Sequence, residues 1–393
     1  LRPHKTAAGA RPEGVLTVQE TGMKVGAKIG ARLALVAAIC LSTASAARAD
    51  DWATTLANAK KEGIVVVHGG PGKAYNAVLV GAFNKAYPDI KVQFSGANGA
   101  IEVPKVLRER QAGIFGWDVW TSGPTTALGT LKESGFFQPL RPILRPDVMK
   151  DELWAGGFDF GWMDNDQKFF YAYDGTLQNP IVVNWDVVSP KDLATLEDLL
   201  KPQFKGKIVW HDPRVSGTGN GTSQTLLHNI GEENLIKLWK SDVTFTINGQ
   251  QIAEWTVRGR YPIAIGLEPN NLDTFQSQGV GKNVKPLPDS YFKVQQISVG
   301  FGGVGFVDKA PHPNAAAVYI NWLLSKEGQQ AWTTLPRGTR RADVTSTLPE
   351  LTPKKGGNYF VGQAEKFTAE RLRVQQIAKQ AISGPVPSGG KSE

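Results

Sequence analysis

The chain is short of cysteine. One thiol, Cys40, stands in 393 residues, which excludes an intrachain disulfide and a thiolate metal site. Beyond residue 49 there is none, so a cysteine nucleophile is excluded there as well. Histidine is nearly as scarce. His68, His211, His228 and His312 are scattered, with no H-E-x-x-H helix, and no G-x-S-x-G elbow exists. The one long apolar run, Leu33–Leu41, falls well below the about 20 residues that span a bilayer. An excess of one charge is also missing. The formal +8 shrinks once residues 1–49 are set aside, because they hold seven basic and two acidic residues and leave 37 against 34. No run of like charges asks for nucleic acid.

What is present begins with a leader pattern. Lys24, Lys28 and Arg32 precede the apolar Leu33–Leu41, and Ala47-Arg48-Ala49 supplies small residues for cleavage. Met23–Ala49 therefore reads as a secretory signal, with Asp50 as the first mature residue and the periplasm as destination. Residues 1–22 read as an upstream extension before the true initiator, Met23. Cys40 follows the bulky Ile39, so lipid attachment is not expected.

Strand and helix patterns then alternate. Ile64–His68, Lys91–Ser95 and Trp117–Thr121 read as strands, each followed by a glycine-bearing loop and a helix pattern. The alternation restarts at Lys207–Trp210, Thr244–Ile247 and Tyr261–Leu267. Two α/β blocks, each with a mainly parallel sheet flanked by helices, follow from this. Between them, Phe169–Val183 is extended and reads as a crossing. Ser298–Phe306 reads as the return, Asn314 as a helix cap, and Tyr359–Ile382 as a long C-terminal helix. GFGGVG at 300–305 matches a dinucleotide fingerprint, but an apolar strand pattern follows it rather than a helix.

Several phrases in order resemble the substrate-binding proteins of bacterial ABC importers, in the iron(III)-type branch: KEGIVVVHGG (61–70 with Lys60 before it), AFNKAYPDIKVQF (82–94), WDVWTSGP (117–124), FKGKIVWHDPR (204–214), RGRYPIAIG (258–266) and APHPNAAAVYINWLLSKEGQQAW (310–332). The resemblance implies a two-lobed, type II periplasmic binding fold with a two-strand hinge. It further implies a small ligand in the cleft and delivery to a permease in the inner membrane. Expected boundaries are residues 50–172 and 299–345 for lobe 1, 173–298 for lobe 2 with its crossings, and 346–393 for a C-terminal helix and tail. Iron-binding members carry adjacent tyrosines near the fifth loop described next. This chain has no Tyr-Tyr pair, and Ser122-Gly123 stands where those members commonly carry an acid. Direct iron binding is therefore not expected, and no metal or other cofactor is assigned.

In open α/β sheets ligands lie beyond the carboxyl ends of the strands. Five loops occupy that place: His68-Gly69-Gly70-Pro71-Gly72, Gly96-Ala97-Asn98-Gly99, Thr121-Ser122-Gly123-Pro124, Asp212–Gly221, and Glu268-Pro269-Asn270-Asn271. The expected ligand contacts are His68, Gly69, Gly70, Asn98, Trp120, Ser122, Gly123, Tyr173, Arg214, Ser216, Thr218, Gly219, Glu268, Asn270 and Asn271. Arg214 either forks onto an anionic group or pairs with Asp212. His68 is either a contact or a packed strand-end ring. Glu268 binds a hydroxyl or cation, or caps a helix; Tyr173 lines the hinge or packs in the core. Trp120 is the aromatic nearest a cleft loop. The expected function is capture of a small organic ligand, anionic or polyhydroxylated, by a monomer without catalytic residues. The alternatives are a secreted enzyme or a ligand sensor of the same fold.

Overall fold

The computed structural model describes residues 51–97, 99–179 and 181–386. The leader at Met23–Ala49, the extension at 1–22 and Asn98 lie outside the described residues. The chain divides between Thr54 and Thr55. In the first unit only residues 51–54 are described, and they are helical.

In the second unit, short β-branched runs form the strands. In chain order they are β1 (Ile64–Gly69), β2 (Lys91–Gly96), β3 (Val119–Ser122), β4 (Phe137–Gln138), β5 (Phe170–Ala172), β6 (Thr176–Gln178), β7 (Ile181–Asn184), β8 (Ile208–His211), β9 (Thr244–Thr246), β10 (Ile263–Ile265), β11 (Val284–Pro286), β12 (Gln295–Ser298), β13 (Gly303–Val307) and β14 (Tyr359–Phe360). One sheet runs β2-β1-β3-β13-β4 with β5 also on β13, a second runs β11-β7-β10-β8-β9, and a third runs β14-β12-β6. The first two share no strand, so the molecule is a two-lobed α/β fold.

Each lobe keeps a parallel core. β1 is parallel to β2 and β3, with His68 opposite Trp120, and β8 is parallel to β9 and β10. Antiparallel strands join beside these cores: β13 against β3, β4 and β5, and β7 against β10 and β11. Both β7 and β13 enter directly after a crossing between lobes. A parallel neighbour needs a long crossover to bring the chain round again, and neither has one.

The two crossings pair with each other. β6 lies antiparallel to β12, with Leu177 opposite Ile297, and together they form the hinge. The outgoing crossing falls inside the expected Phe169–Val183. The return crossing comes earlier than Ser298–Phe306, because Gly303–Val307 already belongs to the lobe 1 sheet. GFGGVG runs into this strand, not a helix.

β14 adds a third strand to the hinge pair, parallel to β12. The C-terminal helix consequently spans only Thr368–Ala381, not Tyr359–Ile382. Val361 and Ala364 pack into the lobe 1 core, while Val374, Ala378 and Ile382 pack into that of lobe 2. Apolar residues committed to two lobes cannot share one face of a single helix.

Packing explains the strand composition. In lobe 2, Ile208, Trp210, Ile263 and Ile265 face one core, and Val209 and Ala264 face another on the opposite side. Alternate residues point to opposite faces, so a sheet covered on both sides is apolar throughout. Full burial of such a side chain contributes roughly 1.5–3 kcal/mol. The helix Pro313–Leu324 starts two residues before an Asn314 cap would allow, with His312 at its N-cap. Its free N–H groups, those of Asn314 and Ala315, donate instead to the distant carboxylate of Glu62, a favourable charge for a helix N-terminus.

Candidate functional site

The lobe 2 wall is built beyond the ends of β8 and β10. The fourth loop has a buried root and an open tip. At the root, Asp212 and Arg214 form a buried ion pair, Nη2 to Oδ2 at 2.7 Å and Nε to Oδ1 at 3.0 Å. The other side of the guanidinium donates to the carbonyls of Gly384 and Pro385. Arg214 is therefore a brace between this loop and the C-terminal segment. The expectation that its fork faces a ligand is corrected: its donors are committed, and it is buried.

At the tip, Ser216 is exposed and Thr218 opens the helix Thr218–Trp239. Thr218 Oγ1 donates to the Gly266 carbonyl at 2.7 Å, which ties the fourth loop to the fifth. Gly219 is demanded by space, since a Cβ there would collide with the His211 carbonyl. Glu268 is exposed and stands at the N-cap of the helix Pro269–Gln276; its carbonyl accepts from Asn271 N, but its side chain does not bond to the helix. Asn270 lies in the first turn of that helix, and Asn271 Oδ1 accepts from Gln250 Nε2 at 3.2 Å. A groove of about 360 Å³ beside this helix is lined by Val182, Leu272 and Lys285 among others, from lobe 2 alone.

The lobe 1 wall follows another plan. His68 is fully buried, and its ring stacks on Trp120 at 3.7 Å between centroids. His68 Nδ1 lies 3.0 Å from the Thr121 carbonyl, which only accepts, so that nitrogen carries the proton. Burial, only partly opposed by that bond, lowers the His68 pKa to about 4. Trp120 is also fully buried, edge-on to Trp117 and Phe136. Trp120 was expected as a contact and is corrected to a core residue, and of the two readings of His68 the packed strand-end ring holds and the contact does not: in a sheet covered on both faces, side chains near the strand end still point into packed layers. Ser122 is buried, and its hydroxyl donates to the Gly123 carbonyl. Gly69 packs on the Phe94 ring, and Gly70 faces Phe301 and Tyr75. Gly123 is a second position set by space, because a Cβ would come within 2.8 Å of the Gly300 carbonyl. Tyr173 is buried edge-on to Trp332, and burial drives its pKa well up. It is a hinge-side core residue and not a contact.

Sequence reasoning placed Asp174 at the hinge but missed its partner Arg337, and with it the charged centre of this wall. Arg337 Nε donates to Asp174 Oδ2 at 2.7 Å, and Nη2 reaches the Ser298 carbonyl at 3.4 Å. Asp174 is fully buried and also accepts from Thr176 N and Oγ1, both at 2.7 Å. Burial pushes the Asp174 carboxyl up, and Arg337 and Thr176 pull it back. Burial disfavours the Arg337 charge, yet Asp174 holds its pKa above the ordinary value. The pair links both crossings, since Asp174 precedes β6 and Ser298 ends β12. The signal in sequence was only PRGTRR at 336–341, three arginines in five residues.

The chain matches the profile of the bacterial extracellular solute-binding proteins over residues 79–352, more than half its length. Among curated proteins it is 26% identical to an uncharacterized protein of Haemophilus influenzae over 40% of this chain; the match spans 44% of that protein, so the chain covers less than half its length. Among solved structures, an iron- and citrate-bound protein of Trichodesmium superposes with a TM-score of 0.62 at 18% identity, over 80% of this chain and 99% of that one. The ferric binding protein of Campylobacter jejuni gives 0.56 at 15% identity, over 80% and 99%. An ABC transporter protein of Clostridium perfringens gives 0.56 at 16%, over 81% and 100%. At such identities these structures speak for the fold alone, and the profile match carries the assignment: the chain belongs to the bacterial extracellular solute-binding proteins.

Proposed function

We propose that this protein captures a small polar organic molecule between its lobes and hands it to an ABC importer. The observation that carries this reading is the pairing of β6 with β12. Two independently built sheets joined by two adjacent strands can rotate about them, the hinge closure by which two-lobed receptors enclose ligands. The polar tip of the fourth loop, Ser216 to Gly219, and the fifth loop, Glu268 to Asn271, then oppose Gly70, Ser122 and Gly123. In the second unit, lobe 1 takes residues 55–172 and 299–345, lobe 2 takes 173–298, and residues 346–386 strap the two. The family works outside the cytoplasm, and the leader reading of Met23–Ala49 agrees with a periplasmic, monomeric receptor whose partner is an inner-membrane permease. We read it as a receptor and not an enzyme. The structural relatives named for iron do not extend that ligand to this chain, whose sequence has no tyrosine pair.

The test is native mass spectrometry of the protein purified from its own host, followed by X-ray scattering with the retained molecule. Compaction on binding is expected. A tightly bound molecule that leaves the radius of gyration unchanged contradicts lobe closure, and turnover of that molecule contradicts the receptor reading.

A further inference from the structure

We infer that Arg337 is the anion-reading residue of the cleft and that it selects a singly charged organic carboxylate. The inference rests on the solute-capture reading above. Arg337 stands beyond the carboxyl ends of β1 and β3, where the ligand of such a sheet lies. Its neighbours come from separate parts of the chain: Gly300 packs on its guanidinium, Gly123 packs on Gly300, and Asp174 and Ser298 bind it from the two crossings. Its side chain keeps 20% of its surface open. Nε is committed to Asp174, while Nη1 has no hydrogen bond among the described residues and the contact of Nη2 to Ser298 is long. Nη1 and the second N–H of Nη2 thus have no partner among the described residues, and two N–H groups at the end of a fork match a carboxylate.

Charge chooses within the oxyanions. Asp174 is buried and adjacent, so the pair is close to neutral as a unit. A site with directed donors and little net charge suits a monoanion better than a phosphate dianion, whose second charge would meet Asp174 without compensation. Tyr75 and Phe301, 5.5 Å apart between ring centroids and both half-buried, supply an aromatic edge beside Gly70. That edge suits the carbon skeleton attached to the carboxylate. Because Arg337 also holds Asp174 and Ser298, a ligand drawn to it acts on both strands of the hinge.

The test titrates the full mature chain with lactate, gluconate and 4-hydroxybenzoate, with the uncharged amide or alcohol of each, and with inorganic phosphate, reading melting temperature and radius of gyration. At least one carboxylate is expected to bind the wild type, at least tenfold tighter than its neutral counterpart and than phosphate. R337Q is expected to lose that binding at least tenfold, and R337K to retain part of it. Where R337Q lowers the unliganded melting temperature too far for titration, R337K carries the test, since a fork requirement still weakens it. Carboxylate binding unchanged in both variants, or phosphate bound more tightly than every carboxylate, overturns the assignment. A neutral compound that compacts the wild type and R337Q alike overturns the role of Arg337 and leaves solute capture standing. Failure of every compound to bind or compact the chain counts against both.

Discussion

The two walls of the cleft are built by opposite means. On lobe 2, the glycine-spaced fourth loop keeps Asp212 and Arg214 at its buried root and leaves Ser216 toward solvent, and Glu268 of the fifth loop is exposed beside it. On lobe 1, the residues at the strand ends, His68 and Trp120, turn inward and stack on each other. The polar group left at that surface arrives from far along the chain, as Arg337. A wall of short side chains on turns adapts to a ligand. A wall of one braced guanidinium and backbone fixes where the ligand's charge goes. Each substitution below asks whether a residue belongs to the root or to the reading surface of its wall.

The largest effect is expected at the lobe 2 root. Arg214→Ala strips the buried Asp212 carboxylate of its charged partner and leaves it the backbone N–H of residue 214, and breaking a buried pair in this way costs about 3–5 kcal/mol. Urea unfolding followed by tryptophan fluorescence measures it. A loss under about 1 kcal/mol would mean that the guanidinium is not the brace, and would return Arg214 to the reading surface.

On lobe 1 the corresponding test is pH. The His68 pKa is lowered to about 4, against 6.5 for the free ring. The unfolded chain therefore takes up the proton first as pH falls, and the stability tied to His68 is present above about pH 6.5 and lost progressively toward pH 4. The gap between 6.5 and about 4 amounts to about 3 kcal/mol. His68→Phe keeps a ring on Trp120 and removes the titration. The stability difference between wild type and His68→Phe should fall by that amount between pH 7 and pH 4. A difference that stays constant would place the imidazole in contact with water, on the cleft side.

How far the sequence foretold these walls follows from the range of each interaction. The lobes were legible because β-branched runs and glycine loops recur locally, as in Ile64–Gly72 and Tyr261–Asn271. What Gly123 and Gly219 make room for was not legible: they were expected to let backbone approach a ligand, and each sits against a carbonyl of the protein itself, Gly300 and His211. The facing of His68 and Trp120 was not legible, because a strand covered on both sides carries no polar alternation to show which face opens on the cleft. Arg214 was left undecided between two partners two residues and a ligand away; the C-terminal carbonyls that settle it lie 170 and 171 positions further on. Arg337 was invisible for the same reason, since Asp174 is 163 positions distant. The C-terminal helix was drawn too long because its apolar residues serve two lobes, and a periodic pattern does not say which lobe each one joins.

A smaller effect is expected at Tyr173, beside the hinge. Its hydroxyl is buried without a hydrogen-bond partner among the described residues. Removing an unsatisfied buried group relieves its desolvation, which costs about 1–3 kcal/mol when nothing compensates it. Tyr173→Phe should therefore be neutral or stabilise by up to about 1 kcal/mol, with unchanged carboxylate binding. Destabilisation beyond 1 kcal/mol, or loss of binding, would move Tyr173 from the core side of lobe 1 to its reading surface.

The smallest stability effect belongs to the lobe 2 tip, and it is the sharpest comparison. Ser216 and Glu268 are exposed, and the side chain of neither has a hydrogen bond among the described residues. Exposed substitutions of that kind stay within about 0.5 kcal/mol, so Ser216→Ala and Glu268→Gln should melt with the wild type. If the tip reads the ligand, either variant should still weaken binding of whatever molecule the native protein retains, by about threefold to tenfold for one lost hydrogen bond of about 0.5–1.5 kcal/mol. Arg214→Ala should show the reverse, a large loss of stability and, in the fraction that remains folded, little change in affinity. Equal losses of stability and affinity at both positions would erase the distinction between root and tip, and with it the claim that lobe 2 adapts to the ligand while lobe 1 anchors its charge.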